Sequence, residues 1–325
     1  KSPNLFSYQN LIAENEAFAI CVSVSMKLHP VTSDERGILV PFKSLADALD
    51  FARECSIRHI GLAIGILGEE FISSFIAPTK RLAAEARDIF TRRLGMPYLV
   101  LLIGDTYALR SVNEMGYPVI DQGLFKTLYQ GLPSLGSAKW LDLLDELADD
   151  EPFSYLKLGQ FGDLAEMALA PSPAQMASDI DPDLRPFFEK LFQRPEMTDL
   201  VWLNTFRIQS ARYNREKPTV GLVFYLPIDT ALIIEIEQGL LDIAAKHHLK
   251  GAFGFITPFD NGKRCVWEYD YYFDHNDPDD MARIQQAAHE AGALLDEYSA
   301  QTGTVRQVRY VVNRGCCRKE NLLYT

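Results

Sequence analysis

Short apolar runs of strand length recur along this chain, and stretches with a 3.6-residue apolar period separate most of them. The strand-like runs fall at 18–28, 36–42, 58–65, 98–104, 200–208, 219–226, 252–258, 264–273 and 304–312. Helices are predicted at 45–55, 80–94, 230–247 and 279–300. Ser44 caps the first, with Asp47 at its third position. Thr79 opens the second and Gly95 stops it. Asp229 caps the third, whose face is Leu232, Ile233, Ile236, Leu240 and Ile243. Asp277-Pro278 opens the fourth, with Met281, Ile284, Ala288, Ala291, Leu295 and Tyr298 as its stripe.

The second half thus reads β219–226, α230–247, β251–258, β264–273, α279–300, β304–312. Asp260-Asn261-Gly262 joins the two middle strands and is a strong hairpin signal. This βαββαβ order is the split-βαβ, ferredoxin-like unit: an antiparallel sheet with both helices on one face. The first half repeats it more loosely, as β36–42, α45–55, β58–65, α80–94, β98–104. The expected fold is α+β: two ferredoxin-like halves joined edge to edge in one broad antiparallel sheet of about seven or eight strands. Helices cover one face, and residues 105–199, with eight prolines, form a helical and irregular insertion.

Composition narrows the function. The chain has 325 residues, 47% of them apolar, which is ample for a core. A formal charge of -12 repels phosphate backbones and argues against nucleic-acid binding. No apolar run reaches the ~18 residues of a membrane span, and residues 1–30 lack the basic start and long apolar stretch of a signal peptide. Five scattered cysteines (Cys21, Cys55, Cys265, Cys316 and Cys317) fit neither a disulfide framework nor a zinc site, so a reducing, cytoplasmic setting is expected. The chain begins at Lys1, in polar Ser2-Pro3-Asn4, which reads as a fragment of something longer.

Candidate chemistry concentrates between Arg264 and Arg314. On strand 264–273 the period of two separates Trp267, Tyr269 and Tyr271 from Glu268, Asp270 and Tyr272. If helices cover the first set, the second faces away from them. The last strand adds either Arg306 with Val308 and Tyr310, or Val305 with Gln307 and Arg309; the valines favour Val305 on the helix side. Carboxylates, phenols and guanidinium groups in one cavity could bind a polar substrate, remove a proton or stabilise a developing anion. The alternative is a wet sheet face on which opposite charges pair across strands, at ~0.2–1 kcal/mol each.

Other motifs yield less. No histidine pair has metal-ligand spacing, and His247-His248 ends a helix, where imidazole suits the C-terminal dipole. Cys316-Cys317 precede Arg318 and Lys319, which could lower a thiol pKa, but they read as a plain surface pair. Gly61, Gly65 and Gly68 lack the G-x-G-x-x-G spacing and read as relief of crowding at a strand end.

The segment A-F-A-I-C-V-S-V-S-M-K-L-H-P at 17–30 resembles the junction that closes the flavin-binding domain in FAD-linked oxidases of the vanillyl-alcohol oxidase type. Ile20, Leu28 and Pro30 agree with it. Ala19 stands where glycine is usual, and Val22 where threonine is usual. D-Y-Y-F-D-H-N-D-P-D-D-M-A-R-I-Q-Q-A-A-H-E-A-G is similar to the strand, Asp-Pro helix start and last long helix of that family's cap domain. The resemblance implies a tail of a flavin domain at 1–34, a cap or substrate domain at 35–313 and a C-terminal return at 314–325. It also implies FAD on a missing domain or partner subunit, since no Gly-rich pyrophosphate segment and no flavin-attachment histidine precede residue 17.

The histidine-rich metal segment of the lactate/glycolate-type members would fall near 251–264, which holds no histidine, so metal-assisted 2-hydroxy acid oxidation is disfavoured. The phenol-oxidising branch uses a tyrosine and an arginine near the strand after the last cap helix. The nearest matches are Arg306, Arg309 and Tyr310. The implied function is oxidation of an aromatic alcohol or phenol by hydride transfer to FAD. Those three residues would form an anion clamp, and Glu268, Asp270 and Tyr272 a polar wall that supplies the base. The other expectation is a non-catalytic binding or assembly subunit that keeps the cap fold.

Overall fold

A computed structural model describes residues 33–76, 83–84, 87–88, 91, 95–122, 185–186, 189–190, 194, 218–302 and the backbone of 306–312. The sequence-derived strands at 18–28 and 200–208, most of the 80–94 helix and of the insertion, and Cys316-Cys317 lie outside the described residues. Contacts divide the chain into two compact units, Lys1–Ser33 and Asp34–Thr325.

Among the described residues, seven strands form one sheet: β1 (Arg36–Phe42), β2 (Ala63–Gly68), β3 (Tyr98–Gly104), β4 (Thr219–Pro227), β5 (Lys250–Phe259), β6 (Arg264–Tyr272) and β7 (Arg306–Val312). Their order is β1-β3-β2-β5-β6-β4-β7, and every neighbouring pair is antiparallel. Within the second half, the order β5-β6-β4-β7 with one helix in each crossover is the expected βαββαβ unit. The first half is a shorter version, with β3 inserted between β1 and β2. The halves meet where β2 pairs with β5, at Ile66 opposite Ile256 and Leu67 opposite Phe255.

Among the described residues, three helices cover one face. They are α1 (Leu45–Ile57), α4 (Thr230–Lys246) and α5 (Pro278–Thr302), and α3 (Thr106–Glu114) adds Ala108 and Val112 to the same core. Their ends follow the expected chemistry. Ser44 Oγ accepts from Asp47 N at 3.1 Å, and Asp229 Oδ1 from Leu232 N at 3.1 Å. Buried Ile233, Ile236, Leu240 and Ala244 of α4, and Ile284, Ala287, Ala291 and Leu295 of α5, meet Leu222, Phe224, Trp267, Tyr269 and Tyr271. The turn at Asp260, Asn261 and Gly262 carries φ values of 52°, 53° and 73°, the left-handed backbone that Asx and Gly accept best.

Two features differ from the expectation. β2 starts at Ala63 rather than near residue 58, because α1 runs to Ile57 and winds off through left-handed His59 (φ 57°) and Gly61 (φ 83°). The apolar run 58–65 hides this C-terminal wrap, since Ile60 is itself buried there. A short helix, α2 (Glu69–Ile76), follows β2 and packs on the opposite face, with the Phe71 ring 5.4 Å from that of Phe255. That second face is apolar over the first half, where Leu39, Leu67, Leu99 and Leu101 are buried. Among the described residues, no helix is long and apolar enough to cross a membrane.

Candidate functional site

The second face changes character on crossing from β2 to the second half. β6 pairs Tyr272 with Lys250 and Thr219, Asp270 with Ala252 and Gly221, and Glu268 with Phe255 and Val223. Alternation therefore puts Glu268, Asp270 and Tyr272 on the face away from α1, α4 and α5, as the sequence pattern predicts. Their exposures are 3%, 1% and 4%. A solvated sheet face is ruled out by those values. Trp267, Tyr269 and Tyr271 point the other way, and the Tyr271 hydroxyl donates to Leu240 O of α4 at 2.9 Å.

The two carboxylates converge. A Cβ placed on Gly221 would lie 3.4 Å from both Asp270 Oδ1 and Glu268 Oε1. The acids are therefore within about 7 Å of each other, as expected for positions i and i+2 of a strand. Gly221 also faces Val311 of β7, so the intervening strand carries no side chain beside Asp270, while Val223 stands between Glu268 and Val308. On the other flank, Gly254 sits in a bulge against Glu268 O, 2.5 Å from its would-be Cβ, with Asp270 Oδ2 at 3.3 Å.

A cationic border adjoins the row. Lys250 Nζ lies 5.4 Å from the centre of the Tyr272 ring and pairs with Glu70 of α2. The Glu70 side chain is 8% exposed and also receives Arg87 Nη1 at 2.5 Å. Glu70 is thus shared between two cations. Beside it, Glu69, Ala84, Arg87, Asp88, Thr91 and Pro97 line a cavity of about 360 Å³. The sequence reading missed this border, because Glu70 and Lys250 stand 180 residues apart. The local signal is a lysine at a strand start, opposite Tyr272 in the ladder.

Arg306, Arg309 and Tyr310 lie on β7, where the described backbone sets their register alone. Arg306 is opposite Tyr225, Val308 opposite Val223, and Gln307 opposite Phe224, which belongs to the helix-covered core. The register shifts between Gly221 and Val223, and Arg309 and Tyr310 fall within that irregular stretch. Position 305 lies outside the described residues.

A dinucleotide needs free backbone N–H groups at a glycine-rich turn or a helix N-terminus. The described helix starts do not fit one. Asp105, Asp229 and Asp277 accept the first-turn amides of α3, α4 and α5, and α2 begins with Glu69-Glu70. Carboxylates at these positions satisfy the same donors and repel a pyrophosphate. Nor does any group of three or more His, Cys, Asp or Glu among the described residues suit a metal ion. Cys55 and Cys265 are buried free thiols pushed up to about 12 by desolvation, which makes them inert.

No protein-family model matches the chain, and no curated protein does. Among solved structures, the chain is similar to 4-ethylphenol oxidase from Gulosibacter chungangensis in its isoeugenol complex, at 11% identity and a TM-score of 0.46, over 88% of this chain and 46% of that one. It is also similar to p-cresol methylhydroxylase with substrate bound, at 12% identity and a TM-score of 0.46, over 87% and 45%. A third, alkyldihydroxyacetonephosphate synthase, has 12% identity and a TM-score of 0.33, over 86% and 40%. These neighbours are of the vanillyl-alcohol oxidase type. The chain spans less than half the length of each.

Proposed function

We propose that this chain is the cap, or substrate-binding, portion of a flavin-dependent oxidoreductase that acts on an aromatic alcohol or phenol. The observation that carries the reading is the row Glu268, Asp270 and Tyr272, which is buried on the sheet face that α1, α4 and α5 leave open. Two carboxylates buried side by side need polar partners, and a face that supplies such partners is a fitting place to meet a polar group of a substrate. Such a row suits hydrogen bonding to a polar substrate, and one of its carboxylates suits removal of a proton. Arg306, Arg309 and Tyr310 supply the anion clamp in this proposal. The lack of a side chain at Gly221 supports an approach from β7 towards Asp270, two strands or about 10 Å away.

FAD would be held by a domain or subunit other than the residues described, whose helix starts do not suit its pyrophosphate. When bound, flavin supplies the electron acceptor, and this chain supplies orientation and charge. The test is the visible spectrum of the full-length gene product, purified with any partner that accompanies it. Flavin absorption, with turnover lowered by Arg309→Ala and Tyr310→Phe while the fold is retained, is the expected result. A colourless protein that takes up no added FAD overturns the reading and leaves a binding or assembly role. Unchanged turnover in both variants removes the β7 clamp from it.

A further inference from the structure

The seam where β2 and β5 join the two sheet halves runs out at a cavity that the function proposed above does not use. β2 ends at Gly68, and Glu69, the next residue, is in the cavity wall. With it stand Ala84, Arg87, Asp88, Thr91 and Pro97, around a volume of about 360 Å³. Three separate stretches of chain therefore supply the lining: the start of α2, residues 84–91, and the residue before β3. Ordinary ligand sites span ~300–1,000 Å³, so this one suits a small molecule.

The polar groups of the wall are of both kinds. Arg87 is held there by Glu70, whose side chain is 8% exposed and accepts from Arg87 Nη1 at 2.5 Å. Because Glu70 also pairs with Lys250, it does not neutralise the guanidinium alone. The fork keeps further N–H donors for a second anion. The Thr91 hydroxyl donates its proton to Arg87 O at 2.6 Å, so towards the cavity it offers lone pairs only. Glu69 and Asp88 are half-buried. A carboxylate accepts up to about four hydrogen bonds, and the interactions Asp88 makes within the fold do not exhaust it.

We propose that this cavity binds a small zwitterion with an ammonium and a carboxylate, the head group of an α-amino acid. The acceptors on Glu69, Asp88 and Thr91 match in number the N–H donors of a primary ammonium, and Arg87 takes the carboxylate. Other ligand classes fit this wall less well. A simple anion meets repulsion from Glu69 and Asp88, and a simple amine leaves the guanidinium without a partner in the ligand. An apolar molecule displaces water from all these groups and returns no hydrogen bond. Ala84 and Pro97 leave room for a short apolar side chain. None of these residues belongs to the Glu268, Asp270 and Tyr272 row, so the site stands with or without a flavin.

The test is titration of the full-length protein with L-alanine, ethylamine and propionate, followed by amide NMR. Alanine carries both charged groups, ethylamine lacks the carboxylate and propionate lacks the ammonium. Alanine should bind roughly tenfold or more tightly than either, since each lacks one charge-assisted contact. Glu69→Gln keeps the size of the side chain but not its charge, and should weaken alanine by roughly tenfold or more. Ethylamine or propionate binding as tightly as alanine overturns the proposal. So does binding of none of the three, or an unchanged alanine affinity in folded Glu69→Gln. If that variant does not fold, wild type decides: alanine-induced shifts centred on the amides of Glu69, Ala84 and Thr91 support the site, and shifts centred elsewhere overturn it.

Discussion

The seam itself can be tested with two glycines on one strand. Gly65 and Gly68 both lie on β2, but their surroundings differ. A Cβ on Gly68 would sit 2.4 Å from Phe253 O, 2.9 Å from Phe253 Cδ1 and 3.1 Å from Phe253 C. Backbone contacts that short cannot be relieved by a rotamer change. Either β5 shifts by several tenths of an ångström or the β2–β5 pairing opens, and the Tyr98–Phe253 edge contact over Gly68 is lost with it. Overpacking of this kind costs about 1–3 kcal/mol, which lowers the melting temperature by roughly 2–12 °C in a domain of this size. A Cβ on Gly65 would meet only Ile256 O, at 3.9 Å, an ordinary contact. There, replacing glycine in a strand gains up to about 0.5–1 kcal/mol from the unfolded state. Gly68→Ala and Gly65→Ala should therefore move stability in opposite directions. Calorimetry gives the two shifts, and hydrogen exchange at Ile66 and Leu67 shows whether the seam has opened. Equal stability in the two variants, or unchanged exchange in Gly68→Ala, would refute the tight seam.

Two further predictions concern the faces of the sheet. Tyr271→Phe removes the hydroxyl that donates to Leu240 O and should cost about 0.5–1.5 kcal/mol in urea unfolding, at the low end because that carbonyl also serves the helix. Glu70→Gln leaves Lys250 and Arg87 facing each other without their shared anion. Since both cations are partly solvated, the loss should be about 1–3 kcal/mol, less than a fully buried pair would show, and Lys250→Met alone should cost under about 1 kcal/mol. A Glu70→Gln variant as stable as wild type would make the cluster a surface pairing without structural weight.

Much of the architecture is local in origin, and for that reason it is legible in the chain. Strand alternation, the caps at Ser44, Asp229 and Asp277, and the Asp-Asn-Gly turn depend on residues within a few positions of one another. The split of β6 into a Trp267, Tyr269, Tyr271 side and a Glu268, Asp270, Tyr272 side is of the same kind, because it follows from the strand period. The glycine reading at 61–68 held for Gly61 and Gly68, each pressed against a neighbour, and not for Gly65, which has room. Nothing in the local pattern separates them, since the difference is which atom of another strand lies opposite.

Tertiary structure alone decided the rest. Whether Glu268 and Asp270 are wet or buried depends on what covers the second face, and period-two alternation is blind to a second layer. The pairing of Lys250 and Arg87 with Glu70 brings together groups from distant parts of the chain. Their energies come from desolvation and Coulomb attraction at close range, which exist only once the sheet is assembled. The sequence by itself thus determined the elements and the side of each strand on which a residue falls; the packed sheet determined which polar groups lost their water.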